Sequence, residues 1–148
     1  MSRMSGPQAR IMIQKSFLDK GSLERYITEY FKPDKNLQIT VLPNKLAQYR
    51  LICSYDWRFY FEEESEDTTW DSYLLGSDFR FEQEVHVDLE KSKADTDQYA
   101  LLFGFIRFLK EKTDGDILFD ADDLEELCLF HGDEIIYSEN GKFLEGST

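Results

Sequence analysis

Five acidic side chains, Asp114, Asp116, Asp120, Asp122 and Glu125, fall at positions 1, 3, 7, 9 and 12 of a calcium-loop spacing, where carboxylates converge on a hard cation. Two positions break the pattern. Leu118 stands where a fifth-position oxygen ligand is needed, and Phe119 replaces the glycine that makes the sharp turn. The segment therefore reads as a solvated acidic rim without a metal ligand set. Imidazole chemistry has only His86, between Glu84 and Asp88 on the polar side of a strand, and His131, in a turn. No GxSxG elbow, phosphate-cradling GxxxxGK[ST] loop or zinc-binding HExxH helix occurs. Glu82 and Glu84 share a strand face, but a water-exposed strand gives no desolvation to raise either pKa, so both read as surface charge. Cys53 and Cys128 lie far apart without a CxxC neighbour, which excludes a disulfide scaffold and a standard zinc site. Cys53 alternates in register with Leu51 and Tyr55 and reads as a buried thiol. These residues point to a protein that is not an enzyme and needs no cofactor.

The charge balance points elsewhere. Thirty acids against 17 bases leave a net charge of −13 and a pI near 4.5. Such a field repels nucleic-acid phosphates and anionic membranes, and it speeds encounter with basic proteins. Solubility alone is the plainer use of acidity, but the excess is gathered in three segments. Six of the ten residues from Glu62 to Asp71 are acidic; Glu82, Glu84, Asp88 and Glu90 line one strand face; residues 114–126 hold the third group. The expected partner-binding set is Glu62, Glu63, Glu64, Glu66, Asp67, Glu82, Glu84 and Asp88, with Trp70 and Tyr73 as aromatic anchors and Trp57 as a further candidate. The expected partner is a basic protein, with no direct contact to nucleic acid or membrane.

A length of 148 residues with 41% hydrophobic and 15% aromatic content suits one domain with its own core. Residues 1–9 read as a disordered segment and 10–145 as a single domain. No apolar run has the length of a signal peptide or a bilayer span, so a cytoplasmic location is expected. Ile11 and Ile13 open a strand. Ser22 is the expected N-cap of a helix with an apolar stripe of Leu23, Tyr26, Ile27, Tyr30 and Phe31, stopped by Pro33. Alternation marks strands over 37–41 and 49–56; Trp57 to Phe61 is a further aromatic strand or a continuation of the same one past a bend, and Glu62 to Thr69 reads as an exposed loop. The clearest strand is 79–90, with Phe79, Phe81, Val85, Val87 and Leu89 on one face and charge on the other; Gln83 interrupts the apolar side. A second helix starts at Asp95, with Gln98 completing a capping box. It is apolar around most of its circumference, and Ala100 with Gly104 marks a place where another element comes close. Gly115 is expected to end it. Strands over 117–119, 127–130 and 134–137 follow, and Asn140-Gly141 signals a hairpin. The whole is α+β: a largely antiparallel sheet with two helices packed on it.

The helix from Tyr99 to Leu109, the strand Gly115-Asp116-Ile117-Leu118-Phe119, the segment Gly132-Asp133-Glu134-Ile135-Ile136 and the Asn140-Gly141 turn together resemble the C-terminal part of bacterial polymorphic-toxin immunity proteins. The resemblance covers roughly residues 98–145, about a third of the chain, and the N-terminal half departs from it. It implies a stoichiometric inhibitor that covers the active or nucleic-acid-binding surface of a toxin domain, a basic nuclease above all. The other expectation from the residues is an adaptor or regulatory subunit of a larger assembly.

Overall fold

The computed structural model describes residues 7–32, 38–41, 48–65, 67–91, 93, 95–122 and 125–146. In chain order the elements are β1 (Gln8–Ile13), α1 (Lys20–Phe31), β2 (Gln38–Val41), β3 (Gln48–Ile52), β4 (Asp56–Glu63), β5 (Thr69–Ser72), β6 (Ser77–Arg80), β7 (Gln83–Asp88), α2 (Asp95–Lys110), β8 (Ile117–Ala121), β9 (Glu125–His131) and β10 (Glu134–Tyr137), closed by a 3-10 turn over Lys142–Gly146. Eight strands form one sheet in the order β10-β9-β8-β1-β7-β4-β3-β2, and every pairing in it is antiparallel. β5 and β6 form a separate hairpin. No helix among the described residues is long and apolar enough to cross a membrane. The α+β architecture expected from the alternation is the one the chain adopts.

Strand alternation gives this sheet two different faces. On the first, cross-strand registers set Phe61, Val85, Ile11, Phe119 and Cys128 in one row across five strands. α1 and α2 cover that row, burying Leu23, Ile27, Phe31, Leu102, Phe105, Ile106 and Leu109. Burial on this scale supplies the main stabilisation of the domain. Both cysteines are buried and neither is in a disulfide, and burial pushes the Cys128 thiol far up. The helices touch where Gly104 lets them: a β-carbon there would come within 2.2 Å of the Tyr30 hydroxyl. Only the far end of a half-buried tyrosine must yield, so Gly104→Ala is expected to lower stability by about 1–2 kcal/mol in urea unfolding, despite the better helix propensity of alanine.

On the second face the hairpin β5–β6 folds back as a flap over β1, β8 and β9. It encloses a smaller core of Met12, Phe79, Phe81, Leu118 and Leu129, with Trp70, Leu74, Leu75 and Ile136 at its margin. The 79–90 segment is therefore two strands, not one. A continuous strand would turn Phe79, Phe81 and Val85 the same way, yet Phe79 and Phe81 fill the flap core while Val85 and Val87 face the helices. Gln83 anchors the break: its buried amide accepts from the backbone of Phe17 and Leu18 and donates to the Leu18 carbonyl at 2.8 Å.

Several boundaries shift for physical reasons. β1 starts at Gln8 rather than Ile11, because Ala9 is paired on both sides with Val87 and Ala121 and fully buried; residues 1–6 lie outside the described residues. α1 is capped by Asp19, whose side chain accepts from Ser22 N while the Ser22 hydroxyl accepts from Asp19 N, each at 2.8 Å, so Ser22 is the reciprocal partner and not the cap. Pro33 lies outside the described residues. Glu62 and Glu63 close β4 instead of opening a loop. Gln98 sits within α2 and is fully buried, bonding Trp57 and Glu90 rather than capping. Gly115 does not take the left-handed conformation expected of a helix stop; Gly76 and Gly132 do. The turn expected at His131-Gly132-Asp133 joins β9 to β10, with Gly132 left-handed, whereas Asn140-Gly141 leads into the 3-10 turn and not into a hairpin. Gly141 is small because a β-carbon there would meet the Leu127 carbonyl oxygen at 1.9 Å.

Candidate functional site

The second sheet face is apolar beneath the flap and polar beyond it, and β1 runs along the border. Two cross-strand rows carry the polar groups. One is Tyr60, His86, Arg10, Asp120 and Glu126; the other begins with Glu62 opposite Glu84 and continues into the apolar Met12 and Leu118. Period-2 alternation along β4, β7, β1 and β8 puts these side chains on one side, and the β-bulge in the β8–β9 pairing brings Glu126 of β9 to the same side.

Arg10 links the rows. Its Nε donates to Glu84 Oε2, and its guanidinium lies 4.6 Å from the centre of the Trp70 ring. His86 Nε2 stands 3.2 Å from the same Glu84 oxygen. Burial pushes the Glu84 carboxyl up, but the hydrogen bonds from His86 and Arg10 outweigh it and hold the group at about 2. The bond to Glu84 raises His86 in turn, against the opposing effect of burial. Glu64 goes the other way: burial, then the neighbouring Glu84 and Glu62, push its carboxyl up to about 7. Neighbouring carboxyls set apart in this manner are the raw material of acid–base chemistry. Asp88 completes the polar side, accepting from Gln8 Nε2 at 2.7 Å and the Tyr60 hydroxyl at 3.1 Å.

Beneath the flap, Glu126 is a buried carboxylate that organises four donors. It accepts from Trp70 Nε1 and the Ser72 hydroxyl at 2.9 Å each, from Leu74 N at 3.2 Å and from Tyr73 N at 3.3 Å. The Tyr73 hydroxyl donates to the Glu126 carbonyl at 3.0 Å. Asp120, opposite Glu126 on β8, is 6% exposed and receives no hydrogen bond from the described residues. Burial raises its carboxyl to about 6; Arg10 opposes this, while Glu126, Asp122 and Glu125 add to it.

A raised folded-state pKa means that folding takes up a proton, so the penalty from Asp120 grows as pH climbs from about 4 to about 6 and is complete above that. Asp120→Asn is therefore expected to stabilise the domain by about 1–3 kcal/mol at pH 7, with the gain vanishing near pH 4. Urea unfolding of both proteins across that range checks the sign; a loss at pH 7 would refute it.

The expected partner-binding residues divide into two groups. Glu62, Glu63, Asp67 and Glu82 are exposed, and Tyr73 is 57% exposed. Glu82 nevertheless accepts from Ser16 N at 2.7 Å, and Glu63 from the Gln83 amide. Glu64, Trp70 and Asp88 are half-buried, and Glu84 is 3% exposed. Trp70 is committed to Arg10 and Glu126, Glu84 to Arg10 and His86, and Trp57 is fully buried with its Nε1 on Gln98. Glu66 lies outside the described residues. Glu84 thus departs from the water-exposed position its strand pattern suggested, because Arg10 from β1 covers it. The calcium-like spacing is dismantled by the fold: Asp114 faces Lys15, Asp116 binds His131 Nδ1 at 2.6 Å and Gly132 N at 3.0 Å, and residues 117–121 are strand.

Sequence reading missed Arg10, Asp120 and Glu126 as members of one network. The only available signal was that each stands at a polar position beside apolar strand neighbours. No family model, curated protein or solved structure matches the chain.

Proposed function

We propose that this chain is a non-catalytic, cytoplasmic protein-binding domain of the immunity type, neutralising a basic bacterial toxin of nuclease class by docking it on the acidic flap and the strand ends beside it. The observation that supports this best is a pair of like charges. Asp71 and Asp78 lie directly opposite each other on β5 and β6, both exposed. Such a cross-strand pair destabilises a hairpin, and a cationic partner relieves it. Backbone bonds from Glu64 N to the Glu82 carbonyl at 2.8 Å and from Phe81 N to the Thr68 carbonyl at 3.2 Å hold the base of the flap beside the end of β4. Asp67, Asp71, Asp78, Glu62, Glu63 and Glu82 are therefore presented by adjoining segments, with Tyr73 exposed among them. Arg58 and Arg80 are the exposed cations nearby in sequence and give the surface a register as well as a sign.

The test is co-expression with a panel of basic nuclease toxin domains. Protection by the native chain and its loss in Asp67→Lys/Asp71→Lys/Asp78→Lys is the expected result. Each single reversal at 71 or 78 replaces a repulsive pair by an attractive one, so folding stability should hold or rise by about 0.2–1 kcal/mol while protection falls. Protection unchanged by the triple reversal would remove the flap from the interface.

A further inference from the structure

We propose that Glu62, Glu84 and His86 form a binding site for a divalent transition-metal ion, with zinc the ion their donors suit best. One carboxylate oxygen from each glutamate and one ring nitrogen of His86 lie within 4.8 Å of one another. A tetrahedral ion bonded at about 2.0–2.2 Å holds its donors roughly 3.3–3.6 Å apart, so the side chains must close by up to about 1.5 Å, which rotation about their χ angles supplies. Glu62 and Glu84 are directly opposed on β4 and β7, and His86 is two residues along the same face. Both strands are interior to the eight-stranded sheet, so the backbones carrying the donors are fixed.

The chemistry of the donors selects the ion. An imidazole beside two carboxylates favours zinc and its transition-metal neighbours over magnesium and calcium, which take oxygen alone. The site also gathers carboxylates whose mutual repulsion a divalent cation would relieve. Glu84 is 3% exposed, and its two protein donors, Arg10 and His86, both meet Oε2. Glu64 also closes on both Glu84 and Glu62, so three carboxyl groups meet at this end of β4 and β7. Arg10 reaches Glu84 from β1, whereas Glu62 stands on β4, across β7 from it. The arginine therefore steadies one oxygen and leaves the flank toward Glu62 for an ion, as outer partners of metal-binding carboxylates do.

The chain contains its own control. His131, the other of two histidines, is exposed and, among the described residues, pairs with Asp116 alone. Zinc chloride is titrated calorimetrically into chelator-treated protein, and the two histidine ring signals are followed by NMR. One saturable site per chain is expected, with the His86 ring signals moving and those of His131 still. Glu62→Gln, a change at an exposed side chain, and His86→Gln should each weaken binding about tenfold or more, and His131→Gln should not. Absence of saturable binding, retention of full affinity in Glu62→Gln, or loss of affinity in His131→Gln would overturn the assignment. The measurement needs no protein partner, so it stands or falls apart from the docking function.

Discussion

Glu126→Ala is expected to destabilise the domain by about 3–5 kcal/mol and to release the flap. The native carboxylate is buried and satisfies four donors at once: Trp70 Nε1, the Ser72 hydroxyl and the backbone N–H groups of Tyr73 and Leu74. Alanine leaves two of these on the main chain, where no rotamer change can redirect them. Each unmet donor costs about 1–3 kcal/mol if it stays buried. The total is capped because the flap can lift and hand the donors to water, giving up the Phe79 and Phe81 packing in exchange. Lifting also frees Trp70 from Arg10, so its fluorescence should shift to the red while Trp57, in the helix-side core, is unchanged. Glu126→Gln keeps one carbonyl oxygen as acceptor and should lose roughly half as much. Urea unfolding with emission spectra distinguishes the outcomes; a loss below about 1 kcal/mol in the alanine variant would show that the flap is held by packing alone.

Gln98→Leu is the second large effect, at about 3 kcal/mol. The two side chains have similar volume, so the change isolates the hydrogen bonds. Gln98 Oε1 accepts from Trp57 Nε1 and from Glu90 N, both at 2.8 Å, and its Nε2 donates to the Glu90 carbonyl at 2.9 Å. One side chain thereby joins α2 to β4 and to the residue that leaves β7. Leucine strands an indole N–H in a fully buried ring as well as two main-chain groups. Thermal unfolding should show a drop of roughly 6–10 °C. A stability equal to the native one would mean that water replaces the amide.

How far the sequence discloses this molecule depends on which force sets each feature. Strands and helices that bury one face show it as periodicity: Phe59 and Phe61, Val85 and Val87, Leu102, Phe105 and Leu109 all lie where their spacing placed them. Gly104 disclosed a close contact because a missing side chain has few other uses in a helix. The division of 79–90 was hidden, since period-2 alternation is the same on either side of a break that swaps faces. The only mark of it was Gln83, a polar residue on an apolar stripe. The acidic network was hidden for a different reason. A glutamate on a strand reads as solvent-facing until its cross-strand neighbour is known, and Glu84 owes its burial to Arg10, 74 positions away. Trp70 was legible as important but not in its role, because its partners Arg10 and Glu126 come from two other strands.

The proposed docking function and the fold share one premise: inward carboxylates hold the flap in place and outward ones make its surface. The most direct test is the rate of association between this domain and a basic toxin domain that it protects against, measured across ionic strength. Steering by the flap predicts a rate that falls about tenfold or more from low to high salt, and a shallow slope in the Asp67→Lys/Asp71→Lys/Asp78→Lys variant. A rate indifferent to salt, or a slope that the triple reversal leaves unchanged, would contradict it.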